Sequence, residues 1–286
     1  MTFPKGSEYE FNKWLVSEYL KCGSVDEVFK IHRYGIPVSY ANYQRILDRW
    51  NIVKAAGPNN KLTEALEFLS HLAEHNIPFE KLYTKMPPSF RTSAATLYRV
   101  LSYIKEGVTR RVGTGLMITP WNSQEKILVG KDVSTPRIEL GKPFGSITIP
   151  MGFSRKRDSR EMAILRILQQ EVFTDYVVNG KTPDIIPVRP KPFMFLDIVD
   201  VRVEVFWIKL PKIYSKMKCF SSYKLQDFKF MGIQKMMENK DNFRIGMKDV
   251  AKGYNKYIQL LGRNIATNPL FCKSDLNFLL TEAIKL

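Results

Sequence analysis

A constant offset runs through the first third of the chain and limits what that third can fold into. Asp26-Glu27-Val28-Phe29 precedes Ser39-Tyr40-Ala41-Asn42-Tyr43-Gln44-Arg45-Ile46-Leu47, and Glu80-Lys81-Leu82-Tyr83 precedes Ser93-Ala94-Ala95-Thr96-Leu97-Tyr98-Arg99-Val100-Leu101. Val28 and Leu82, Ser39 and Ser93, Arg45 and Arg99, and Leu47 and Leu101 each stand 54 residues apart. The same offset sets Trp14 over Phe68, Leu15 over Leu69 and Trp50 over Ile104. Register kept over three apolar segments predicts two copies of one supersecondary unit, at about 8–54 and 62–108. Each copy reads as three helices. Phe11, Trp14, Leu15 and Tyr19 recur at helical spacing. Ser24, with Glu27 three residues on, has capping-box spacing for a second helix. Gly35-Ile36-Pro37 then breaks the chain, and Ser39 starts a third helix that turns Tyr43, Ile46, Leu47 and Trp50 inward. The second copy uses Leu62, Leu66, Leu69 and Leu72, then Phe79–Tyr83, a Met86-Pro87-Pro88 break and a helix from about Thr92 to Lys105. The turn-rich stretch 55–60 links the two.

Three short helices with a tight break before the last follow the helix-turn-helix plan. Two in tandem resemble bipartite transposase or paired-type DNA-binding modules. The resemblance implies that each third helix lies in a major groove with its N-terminal residues at base edges. The candidates are Ser39, Tyr40, Asn42, Gln44 and Arg45, and in the second copy Arg91, Thr92, Ser93, Thr96 and Arg99. Asn, Gln and Arg suit bidentate contacts to bases, and Ser and Thr suit phosphates. The alternative is a helical repeat that packs against another protein, with Arg45 and Arg99 solvated. Lys and Arg number 44 against 28 Asp and Glu, a net charge of +16, which fits a polyanionic partner or simply a well-solvated surface. Residues 1–110 carry 15 basic and 11 acidic side chains, and 111–286 carry 29 and 17. Most of the excess therefore lies outside the expected DNA reader.

With 286 residues and 44% hydrophobic content, the chain is long enough for two cored domains and too apolar for disorder. No apolar run reaches the roughly 18 residues of a spanning helix, and the N-terminus lacks an apolar signal core. Cys22, Cys219 and Cys272 are too scattered for a disulfide framework or zinc site. They fit a reducing compartment, so the expectation is a cytoplasmic protein with no membrane partner.

Past the junction Val108–Thr114, which has few apolar anchors, the pattern turns to strand-like alternation. Gly115–Thr119 and Lys126–Gly130 read as a hairpin around Pro120-Trp121-Asn122-Ser123, and Ser146–Pro150 as a further strand. Gly152 is then followed by five residues and Asp158, and by seven more and Arg166. Leu168 and Glu171 complete a stretch that resembles the Nudix box of the Nudix hydrolase superfamily. The resemblance covers about residues 112–265. It implies an α/β/α domain with a mixed sheet over 111–286, with strands at Phe193–Asp197 and Val201–Lys209. It also implies a short turn and helix at Phe228–Met237 and a closing helix within Asn242–Leu261. The chain as a whole is expected to be α+β, the all-α tandem region at 1–110 preceding this domain.

The resemblance also implies a divalent-metal site on the box helix, and here the chain departs from the family. Positions i, i+3 and i+4 share a helix face, so the ligand set falls on Ile167, Gln170 and Glu171. Isoleucine has no lone pair and a glutamine amide brings no charge, leaving Glu171 as the lone metal-ligand and catalytic candidate. A metal that should clamp pyrophosphate and activate water would be held weakly. Asp158, Glu161, Asp175, Asp197, Asp200 and Glu204 are the acids that a fold could bring to its rescue. No histidine follows His75. Gly152, Asp158, Arg166 and Glu171 are the box residues, and the family's pattern gives Arg166 a bracing role. Arg155-Lys156-Arg157 reads as an exposed loop or a phosphate contact. Arg137, Lys142 and Phe144 are ligand-binding candidates, a ring to stack a base and two cations for phosphate; equally, Gly141 and Gly145 bend an edge strand. Ile213–Lys218 reads as a solvated loop.

The expected function is a DNA-binding, transcription-regulatory protein whose Nudix-like domain binds a nucleotide diphosphate or a partner without efficient hydrolysis, and so needs no cofactor. One alternative is an active Mg²⁺- or Mn²⁺-dependent hydrolase of nucleoside diphosphate-linked compounds with a helical recruitment domain. A mobile-element accessory is another.

Overall fold

The computed structural model describes residues 4, 7–54, 84, 94–136, 142–155, 157–238, 242–265 and 268–278. Three helices open the chain: α1 (Glu8–Cys22), α2 (Val25–Ile31) and α3 (Tyr40–Arg49). Each begins at a serine in extended conformation whose hydroxyl accepts the backbone N–H three residues on: Ser7 from Glu10, Ser24 from Glu27 and Ser39 from Asn42. Leu15, Val16, Tyr19 and Leu20 of α1 meet Val28 of α2 and Tyr43, Ile46 and Leu47 of α3 in one core. The Tyr43 hydroxyl donates to the Leu15 carbonyl, so the buried ring carries no unpaired polar tip. Of the expected second copy, the structure describes Thr84 and helix α4 (Ala94–Glu106). The expected segments at 62–72 and 79–83, the 86–88 break, and Arg91, Thr92 and Ser93 lie outside the described residues.

Two sheets follow. The larger runs β4 (Met151–Ser154), β1 (Arg111–Thr119), β6 (Val201–Lys209), β5 (Met194–Ile198) and β8 (Leu270–Lys273) in spatial order. Strand β1 is parallel to β6 and antiparallel to β4, and β5 is antiparallel to β6 and parallel to β8, so this sheet is mixed. The smaller sheet is β3 (Ile147–Thr148), β2 (Lys126–Asp132) and β7 (Leu225–Gly232), all antiparallel. The chain is thus α+β, with the described helices of its first third ahead of a mixed-sheet part.

Leu116 and Ile118 of β1 join Ile164, Ile167 and Leu168 of helix α5 (Arg160–Glu171) in one core. Met117, on the opposite face of β1, joins Met194, Leu196, Val203 and the closing helix α8 (Met247–Gly262) in another. Gly246, at the start of α8, has φ +84° and would set a Cβ 2.6 Å from Leu196 Cδ2, so both conformation and space require glycine there.

Two expectations are corrected. Strands β1 and β2 are no hairpin: they belong to different sheets, because after Pro120–Ser123 the chain crosses to pair with β7 rather than folding back on β1. The segment expected to be a turn and helix from Phe228 is strand through Gly232, and only then becomes helix α7 (Ile233–Glu238). The junction is also held by more than apolar contacts. Both Arg110 and Arg111 reach the buried carboxylate of Asp200, Arg111 through Nε at 3.2 Å and a terminal nitrogen at 2.6 Å. Both backbone N–H groups donate to the Asp200 carbonyl.

Candidate functional site

Strand β4 and helix α5 carry the stretch that resembles a Nudix box, and Gly152 lets them approach. A Cβ at 152 would lie 3.1 Å from Ile167 Cδ1, tighter than nearly all real Cβ contacts. The loop between them is braced by one ion pair. Arg166 reaches Asp158 at 2.6 Å with both side chains buried, and Asp158 also accepts the Arg155 N–H at 2.7 Å. Ser159 caps α5 by accepting the Met162 N–H. Helix α5 is therefore tied to its own N-terminal loop at Ser159 and at Arg166.

The opposite end of α5 carries the chemistry. Glu171 is buried, and its carboxylate accepts the Met151 N–H at 2.7 Å. Burial pushes its carboxyl above the usual carboxylate range. Lys224 opposes that shift, neighbouring Asp132 adds to it, and the Met151 bond and Lys142 counter it. Gln170 turns its amide oxygen to the Lys224 ammonium at 2.7 Å, which leaves its buried Nε2 without a hydrogen-bond partner among the described residues. Lys224 is itself fixed at both backbone ends. Its N–H donates to Ser222 Oγ, the Ser222 hydroxyl donates to the Gln170 carbonyl, and its carbonyl accepts the Val133 N–H. Lys142 is buried, 3.2 Å from the buried carboxylate of Asp132, and donates to Ser134 Oγ and to the Thr135 carbonyl.

These residues do not fit a divalent cation. At the three helix positions a metal would need, Ile167 packs into the apolar core with Leu116 and Ile118 of β1, Gln170 has its acceptor oxygen on an ammonium, and Glu171 has one carboxylate oxygen on a backbone donor. Among the described residues no group of three His, Cys, Asp or Glu is gathered to hold a metal ion. Four of the six acids that the sequence offers for rescue have basic partners elsewhere: Asp158 with Arg166, Asp197 with Arg202, Asp200 with the junction arginines and Glu204 with Arg160. Glu161 and Asp175 are exposed. The acid that does approach Glu171 is Asp132, which the sequence reading missed along with Lys224. Both come from β-strand ends remote in sequence from the box, and no spacing rule links them to it.

The other candidates separate. Phe144 is 64% exposed while Lys142 turns inward to Asp132, so the expected stacking-and-phosphate pair is not assembled, and Arg137 lies outside the described residues. On α3, Asn42 and Arg45 are exposed beside Tyr40, whereas Gln44 has its amide oxygen buried without a partner among the described residues. Ser39 is engaged in its cap. Arg99 is exposed on α4, and nothing is described of the Thr96 side chain.

The box helix has a second set of contacts, to the first three helices. Gln169 is almost wholly buried, accepts the Val53 N–H at 2.9 Å and donates to the Asn51 carbonyl at 2.7 Å. Arg166 Nε donates to the Lys54 carbonyl at 2.9 Å. Trp50 donates to the Val178 carbonyl, and Val177 and Val178 of helix α6 (Thr174–Val178) join the core of the three helices. Next to Lys224, the Tyr223 hydroxyl pairs with Ser17 Oγ at 2.6 Å and its ring lies under Lys21. Leu101 and Ile104, which the 54-residue offset matches to Leu47 and Trp50, are both buried in the core that includes β5, β6 and α8.

No protein-family model matches the chain. No characterised protein matches it either. Among solved structures it is similar to a NUDIX hydrolase from Nitrosomonas europaea, at 16% identity over 58% of this chain and 80% of that one, with a TM-score of 0.37. It is similar to a mutT/nudix family protein from Listeria innocua at 17% identity over 55% of this chain and 99% of that one, TM-score 0.38. It is also similar to the NUDIX domain of Shewanella oneidensis NrtR, solved with ADP ribose, at 13% identity over 59% of this chain and 99% of that one, TM-score 0.37.

Proposed function

We propose that this chain is a DNA-binding regulator. Its region 111–286 is a Nudix-like domain that binds a nucleotide diphosphate without hydrolysing it efficiently, and its region 1–110 faces DNA. One observation carries this reading. Neighbouring residues on the same two segments look in opposite directions, Gln170 and Lys224 toward each other beside Glu171, Gln169 and Tyr223 onto the first three helices. A ligand that shifted Lys224 or the end of α5 would move groups already bonded to the helical module. Such a change alters DNA affinity only if the ligand prefers one arrangement over the other.

The residues available favour binding over turnover. Lys224 supplies positive charge for phosphate without a metal, and Glu171 is occupied as an acceptor for Met151. On the DNA side, the free face of α3 offers Tyr40, Asn42 and Arg45, residue types suited to base edges and phosphate. The reading is tested by incubating purified protein and ADP-ribose with Mg²⁺ or Mn²⁺ and assaying AMP, alongside calorimetric binding of ADP-ribose in EDTA. Binding in EDTA with no more than trace AMP is expected. Robust AMP release that Glu171→Gln abolishes would establish the hydrolase alternative instead.

A further inference from the structure

The end of the box helix presents donors where a metal site presents acceptors. Gln170 has its oxygen fixed on the Lys224 ammonium, and this fixes the amide's orientation. Its NH₂ group is then a buried donor without a partner among the described residues. A buried donor left unpaired costs free energy that an incoming oxygen would return. Lys224 uses one of its three N–H bonds on Gln170, and its backbone is tied on one side to the C-terminus of α5 through Ser222 and on the other to Val133. It is therefore a positioned cation and not a surface lysine that happens to fold inward. Lys142 and Arg244 add positive charge to the same neighbourhood, against Asp132 and Glu171.

We propose that the Lys224 ammonium stands in place of a divalent cation and, with the Gln170 amide, makes the C-terminal end of α5 an anion site for a phosphate oxygen of the ligand. The inference rests on the ligand-binding reading above and gives that ligand its contact. It predicts that restoring the missing carboxylates is not enough to restore a metal, because the ammonium fills the place and repels a second cation.

Two measurements on the full chain test it. The first is calorimetric titration of inorganic pyrophosphate in EDTA, for the unmodified protein, Lys224→Met and Lys224→Arg. Lys224→Met should weaken binding roughly 10- to 100-fold, the worth of a charge-assisted hydrogen bond, and Lys224→Arg should keep most of it. The second is Mn²⁺ binding by electron paramagnetic resonance. Ile167→Glu with Gln170→Glu should bind Mn²⁺ feebly, and adding Lys224→Met should tighten it about tenfold or more. Circular dichroism checks that each variant is folded. Pyrophosphate affinity indifferent to Lys224→Met, no pyrophosphate binding at all, or equal Mn²⁺ affinity with and without Lys224 would overturn the proposal. Neither measurement uses a nucleoside or DNA, so a chain that ignores ADP-ribose would sink the functional reading while these results still decided the role of Lys224.

Discussion

Replacing Gln169 by Ala should loosen the first three helices from the box helix without disturbing the cleft. The side chain is almost wholly buried and satisfies two backbone groups of the segment after α3, the Val53 N–H and the Asn51 carbonyl. Truncation removes both partners at once. Each backbone group left unpaired in a buried setting costs about 1–3 kcal/mol. Asn51 is exposed and Val53 only half-buried, Arg166 still holds the Lys54 carbonyl, and the Val177–Val178 contact remains, so the lower half of the summed range is expected, about 2–4 kcal/mol. Hydrogen exchange read by mass spectrometry is the suitable assay, since it resolves local opening from global unfolding. Amides of residues 8–54 should exchange roughly 30- to 1,000-fold faster, while those of β5 and β6 keep their protection. The control is Arg160→Ala, which breaks an exposed pair with Glu204 worth less than about 1 kcal/mol. Unchanged exchange in 8–54 would show that the two hydrogen bonds do not hold the helices to the box.

Asp200→Ala strips both junction arginines of their buried partner. With the arginines partly exposed the loss should be about 2–3 kcal/mol, a fall of roughly 4–10 °C in the thermal midpoint. Glu18 meets opposing influences: burial pushes its carboxyl up, but hydrogen bonds from Lys21 and His32 outweigh that and hold it below its usual 4.5. A depressed carboxyl stabilises the fold above its unfolded pKa and loses that stabilisation as pH falls through the folded value. Chemical denaturation should therefore show the unmodified chain losing more stability below pH 4.5 than Glu18→Gln does. For DNA, Arg45→Ala and Arg99→Ala should each weaken a site selected from random duplexes by about 1–3 kcal/mol, measured by fluorescence anisotropy. Salt-indifferent binding that is unchanged in both variants would favour the protein-packing repeat.

Much of this architecture is legible in the sequence because it depends on local pattern. The serine caps at 24 and 39 and the inward faces of α1 and α3 follow from period and spacing, while the strands at 194–198 and 201–209 are expected from the family resemblance. Strand partners are another matter. Alternation reports which face of a strand is buried, not which neighbour it bonds, so β1 and β2 read as a hairpin although each pairs elsewhere. The box spacing locates Gly152, Asp158, Arg166 and Glu171 but is silent on Lys224, whose side chain meets Gln170 only through the tertiary fold. The contacts of Gln169 were equally hidden. A glutamine on a helix between Leu168 and Gln170 has no pattern that marks it as the tie to a distant backbone.

On the proposed reading, one bound nucleotide diphosphate and one DNA site are coupled through helix α5. Calorimetric titration of ADP-ribose into the protein, with and without saturating DNA and in the absence of divalent metal, measures that coupling directly. Affinities that differ by about 5- to 150-fold are expected, with the reciprocal change in DNA affinity when ADP-ribose is present. Equal ADP-ribose affinities in the two titrations, or no binding in either, would contradict it.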